Sequence, residues 1–142
     1  MTREMKSKVM SLGSRLAPRM DGDRSAAFVQ AWAIVKNGLE IAVKGTSFAN
    51  RQEALKRLAE YSPEQIRAVL VPEPTNPADP AAVAVMVGVN NGRGLYRLGY
   101  VPRNLTPVVT ALGGVLPALR VVSGTWGFSH NTTYGARLAL AV

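Results

Sequence analysis

Cysteine is absent from the 142 residues, and histidine occurs once, at His130. Disulfides and thiolate metal sites are thereby excluded, and a zinc or iron centre is left with almost no nitrogen ligands. Acidic residues are scarce as well, nine Asp and Glu against 17 Lys and Arg. The clustered carboxylates of a metal-dependent nuclease are therefore hard to assemble. No stretch approaches the roughly 18 consecutive apolar residues that span a bilayer, and the opening MTREMKSKVM lacks the apolar core of a secretory signal. No Ser-His-Asp or Cys-His set can be composed, and no glycine-rich loop is followed by a lysine that would cradle a phosphate. These absences predict a cytoplasmic protein without metal, cofactor or membrane partner, one that binds rather than catalyses.

What is present is charge and a core. Hydrophobic residues make up 47% of the chain, enough for one real core in a length that suits a single domain. The net charge is +8. The first 24 residues carry six bases (Arg3, Lys6, Lys8, Arg15, Arg19, Arg24) and three acids, leaving 11 and six of the 17 and nine for the rest. The folded part is basic in its own right. Such a balance favours a polyanionic partner, the other reading being a solvated basic surface that only aids solubility.

Residues 1–24 show no periodicity and contain Pro18, which predicts a flexible basic arm ahead of one folded domain over 25–142. SAAFVQAWAIVKN, residues 25–37, predicts a helix that ends at Gly38, with Phe28, Trp32 and Val35 on one stripe and Trp32 in the core. Leu39 to Lys44 reads as a strand ending at Gly45. ANRQEALKRLAEY predicts an amphipathic helix capped by Asn50, with Glu53 completing a capping box. Its apolar face carries Ala54, Leu55, Leu58 and Tyr61, and its other face carries Arg51, Lys56 and Arg57, available to phosphates or simply solvated.

Three strands follow, Gln65 to Val71, Ala81 to Val89 and Leu95 to Val101, the last two joined by the turn Asn90-Asn91-Gly92-Arg93-Gly94. A short helix over Asn104 to Leu112 is followed by closing strands at Leu116 to Ser123 and Tyr134 to Val142, linked through GTWGFSHNT. The expected class is thus mostly β with two or three helices, an α+β arrangement whose six strands suit a compact barrel or curled sheet. An OB-like barrel is one such outcome, and periodicity alone does not choose it.

The most informative segment is PEPTNPADPAAVAV, from Pro72 to Val85. Two proline-containing turns, Glu73-Pro74 and Asn76-Pro77, bracket a bend that leads into a buried strand and display Asn76 and Asp79 at a rigid corner. Together with KGTSFANRQEAL (Lys44 to Leu55) and LGYVPRN (Leu98 to Asn104), this segment resembles the HIRAN domain, over about residues 39–123. That family occurs as stand-alone bacterial and phage proteins and fused to Swi/Snf-type helicases. The resemblance implies a six-stranded OB-like barrel with two helices that receives the free 3′ end of single-stranded DNA in DNA repair, replication or phage DNA metabolism.

By position, the resemblance assigns Phe48 to stacking on the terminal base, Asn76 and Asp79 to the end nucleotide, and Lys44 and Arg103 to phosphates. A carboxylate there would accept a hydrogen bond from a 3′-OH and repel a 3′-phosphate. Ala49 and Ala78 stand where DNA-gripping relatives have further aromatics, and Ser47 where they have a base, which implies weaker affinity. Each residue also has a plain structural reading. Phe48 would pack a strand end, Asp79 would cap its turn, and Asn76 would stiffen the bend before Pro77. Arg103 would be an ordinary surface charge. Tyr100 fits either a stacking platform or a packed barrel rim. Trp126 fits a second binding aromatic or a lid, and His130 a solvent-exposed turn. The competing function is a protein-interaction module whose basic charge is incidental.

Overall fold

The computed structural model describes residues 2–46, 49–89, 94–113, 117–124 and 133–141. Among these residues are four α-helices and six strands, α1 (Arg3–Leu16), α2 (Arg24–Asn37), β1 (Leu39–Ala42), α3 (Ala49–Leu58), β2 (Ile66–Pro72), β3 (Val83–Val89), β4 (Tyr96–Tyr100), α4 (Thr106–Leu112), β5 (Pro117–Gly124) and β6 (Thr133–Leu140). The class is α+β as expected but mixed and not mostly β, with four helices where two or three were anticipated. The chain divides into two units, one carrying α1, α2 and α4, the other carrying α3 and the body of the six strands.

The extra helix comes from residues expected to form a flexible arm. Thr2 caps α1 by accepting the Met5 N–H at 3.1 Å, and Glu4 favours the N-terminal end of the helix dipole. Val9, Leu12, Gly13 and Leu16 then recur at helical spacing and are buried. Four buried positions and a cap outweigh the charged residues between them, and the arm is a packed helix. A turn through Pro18 and the left-handed pair Asp21 and Gly22 follows, and Asp23 caps α2 with a hydrogen bond from the Ala26 N–H.

The helix α2 buries Ala27, Ala31 and Ile34, whereas Trp32 was expected in the core and is 40% exposed. The physical reason is steric. Apolar residues run almost all round this helix, so periodicity does not select a face, and the buried positions fall on Ala27, Ala31 and Ile34. A Cβ on Gly13 would run into the Phe28 ring, so glycine at that position is what lets the two helices meet. Trp32 instead shields itself under the Lys36 ammonium, 4.6 Å from its ring centroid.

In the other unit, β2, β3 and β4 form an antiparallel sheet with β3 central, and β1, β6 and β5 form a second sheet with β6 central. Ile41, Leu55, Val85, Val87, Leu98, Leu119 and Leu138 are almost wholly withdrawn from water and form the core. Each contributes about 1.5–3 kcal/mol by burial. The helix α3 starts at Ala49, so Asn50 is its second residue and not its cap; Leu55 and Leu58 are its buried pair, while Tyr61 faces out. The chain continues beyond β1, where Val43 N–H donates to Ala136 O and Lys44 bridges Tyr100 in both directions, at 2.8 and 2.9 Å. That bridge ties the β1 side of one sheet to the outer strand of the other.

Candidate nucleic-acid interface

The corner forms because its own side chains fold it. Asn76 Oδ1 accepts the N–H groups of Ala78 (2.9 Å) and Asp79 (3.2 Å), an Asx turn that closes the segment between Pro74 and Pro80. Asp79 Oδ1 accepts the Ala81 N–H at 3.0 Å, and backbone bonds from Glu73 to Ala82 and from Ala82 to Asp79 seal the loop onto β3. The structural roles expected for Asn76 and Asp79 are therefore realised in hydrogen bonds. What remains outward is the second amide hydrogen of Asn76 and Asp79 Oδ2, which lies 3.7 Å from Arg103 Nε.

Five of the residues singled out in the sequence meet here. Lys44, Asn76, Asp79, Tyr100 and Arg103 line one depression of about 350 Å³, floored by Ala82 and Val101. A second depression of about 390 Å³ lies beside Pro72, Glu73, Pro77 and Arg97. Asn76 and Tyr100 line both, so they form the ridge between them. Arg51 belongs to neither; its guanidinium donates to Gly45 O at 2.6 Å and holds the turn after Lys44. Phe48, Trp126 and His130 lie outside the described residues, as does most of the turn at 90–94.

Arg97 was not singled out, and the reason is a β-bulge. Val85 pairs with Gly99 and Met86 with Arg97, so Leu98 is an extra residue on β4. In a regular strand, residues three apart point to opposite faces. The bulge shifts that parity and brings Arg97 to Tyr100. Arg97 Nη1 donates to the tyrosine hydroxyl oxygen at 2.9 Å, the hydroxyl donates to Glu73 Oε1 at 3.0 Å, and Arg97 Nε lies 3.4 Å from Glu73 Oε2. Asn76 Nδ2 adds a third contact to the Glu73 carboxylate at 3.1 Å. The ring of Tyr100, with the Arg97 guanidinium carbon 5.7 Å from its centroid, is thus held in one orientation.

These contacts hold the Glu73 carboxyl below its usual pKa of 4.5: the Asn76 hydrogen bond lowers it most, burial opposes that, and the Tyr100 hydrogen bond and the charge of Arg97 add lesser downward effects. A folded-state pKa below the unfolded one favours the carboxylate in the native protein. The stabilisation is present above the unfolded value and is lost as pH falls through the folded one. On acid titration from about pH 5 to about pH 3, the wild type should lose stability more steeply than Glu73→Gln, as read by urea midpoints. Parallel curves for the two proteins would remove the claim.

Three cations, Lys44, Arg97 and Arg103, and two carboxylates, Glu73 and Asp79, line the paired depressions. The corner carries a small positive excess, and Arg103 stands out into solvent there, its side chain 83% accessible. Among the described residues no helix is long and apolar enough to cross a membrane. No protein-family model matches this chain, and no curated protein or solved structure matches it.

Proposed function

We propose that this protein is a HIRAN-like, non-catalytic module that binds single-stranded DNA by its free 3′ end, in DNA repair, replication or phage DNA metabolism. The observation that carries the reading is the convergence of Lys44, Asn76, Asp79, Tyr100 and Arg103 on one depression. In this reading the two sheets are halves of an OB-like barrel, joined at the Lys44–Tyr100 bridge and where β2 runs beside β5. The sequence-tolerant element is an aromatic face, with Tyr100 as the ring held ready for it, worth about 1–3 kcal/mol per stacked base.

End recognition follows from how the Asp79 carboxylate is used. Oδ1 is committed to its own loop, so a terminal hydroxyl donates to Oδ2, and Arg103 swings from Oδ2 to the adjoining phosphate. A 3′-phosphate brings charge repulsion in place of that hydrogen bond. Fluorescence anisotropy with one oligonucleotide ending in either group tests this. The 3′-OH form should bind about tenfold or more tightly, and Asp79→Asn should erase the preference by removing the repelling charge. Equal affinity of the wild type for both ends refutes end recognition.

A second reading, a protein-interaction module, draws on the same hydrogen bonds, since Asn76 and Asp79 both fasten the loop. It predicts no oligonucleotide binding at any salt concentration and a specific co-purifying protein.

A further inference from the structure

The strand-bearing unit holds a larger concavity than either depression at the corner. It is a groove of about 620 Å³ between α3 and the end of the β3–β4 pair. Asn50, Glu53, Arg57 and Tyr61 follow one another along α3 and the turn after it in steps of three and four residues, and so share one face. Tyr96 and Gly88 supply the facing wall, with Ala54, Leu58 and Val89 making the interior apolar. Tyr61 and Tyr96 are 43% and 39% exposed, large rings left in the open beside a cation.

The lining distinguishes among occupants. An extended peptide adding to the sheet finds Gly88 and Val89 already paired to β2 on one side, with Gly94 lying close against Gly88. An aliphatic side chain would find Glu53 and Arg57 in its way without a partner for either. A planar ring carrying hydrogen-bonding edges and an anionic group matches every wall: tyrosine faces for the ring, Asn50 and Glu53 for its donors and acceptors, and Arg57 for the anion. The cation acts within the groove, since Arg57 offsets part of the upward push that burial exerts on the Tyr96 hydroxyl. The volume falls within the usual range for small-ligand sites.

We propose that the groove is a second subsite for single-stranded nucleic acid, holding one nucleotide with its base against Tyr61 and Tyr96 and its phosphate on Arg57. This rests on the single-strand reading given above, and it extends that reading from the strand terminus to an interior position. A bound strand then has two anchors on one unit, and the weaker grip implied by alanine at positions 49 and 78 is offset by added length.

Amide chemical-shift mapping on the ¹⁵N-labelled full chain separates the possibilities, with AMP as one probe and an oligoadenylate of about ten nucleotides as the other. Both probes should shift Gly88, Val89, Tyr96 and the α3 face. Tyr61→Ala, a change at an exposed ring that leaves the core intact, should weaken the oligonucleotide about 5- to 150-fold without abolishing the preference for a 3′-OH. Arg57→Glu should weaken it as well and reduce its salt dependence. Shifts confined to Asn76, Tyr100 and Arg103, with Tyr61→Ala binding like wild type, would overturn the groove and leave the end site standing. Groove shifts by both probes with a silent corner and no end preference would support the groove and overturn the end site. Groove shifts by AMP alone overturn the assignment to a strand.

Discussion

Gly99→Ala should lower the free energy of unfolding by about 2–6 kcal/mol and dismantle the binding corner along with it. Gly99 is buried beside the Lys44–Tyr100 bridge, and any Cβ there strikes the Lys44 carbonyl oxygen and, at 2.8 Å, Val43 Cγ1. The obstacle on one side is backbone, which cannot rotate away. The chain at 43–44 must retreat from β4, and both hydrogen bonds of the bridge go with it. Overpacking costs about 1–3 kcal/mol and each lost backbone bond about 0.5–1.5 kcal/mol, which sets the range. Because Lys44 and Tyr100 both line the depression, oligonucleotide affinity should fall in parallel. Urea denaturation and anisotropy on the same preparation check this, and an unchanged midpoint with wild-type affinity would show that the bridge organises nothing.

Strand positions were legible because alternating and β-branched runs bounded by Gly and Pro admit few other structures. All six expected strands are found, with ends shifted by a residue or two. Helices were less legible where the signal lay in faces rather than in composition. The Val9, Leu12, Gly13, Leu16 stripe is a helical signature, but glycine at its centre and charges around it hid the pattern until α2 was there to cover it. The opposite failure occurred in α2, where an apolar surplus left Trp32 without a unique assignment and small residues decided which face is buried.

The corner was legible as a local object and illegible as a cluster. The two proline-containing turns, Glu73-Pro74 and Asn76-Pro77, foretold a rigid bend, and the bend is built from the two side chains that the resemblance assigned to ligand. Nothing local announced that Arg97 would join Glu73 and Tyr100, because that depends on one extra residue in β4 relative to β3. Tyr96 and Tyr61, 35 positions apart in the chain, likewise become neighbours only through the packing of α3 beside the strand pair.

Arg103→Glu should reduce single-strand affinity about 10- to 100-fold at low salt while changing stability by less than about 1 kcal/mol. The two effects separate because Arg103 is almost wholly solvated and its ion pair with Asp79, at 3.7 Å, is of the exposed kind that contributes about 0–1 kcal/mol. Binding is affected twice, once through the lost phosphate contact and again through a carboxylate set beside Asp79 in the same depression. The slope of log affinity against log salt should become shallower by about 0.7 for the lost phosphate contact. Lys6→Glu supplies the comparison, since it makes the same change in net charge on an exposed residue of α1. If both variants weaken binding equally, the +8 charge of the chain acts diffusely, and the depression has no special claim on the strand. If Arg103→Glu alone is impaired, and loses discrimination between 3′-OH and 3′-phosphate as well, the cation beside Asp79 is the one that moves to the terminal phosphate.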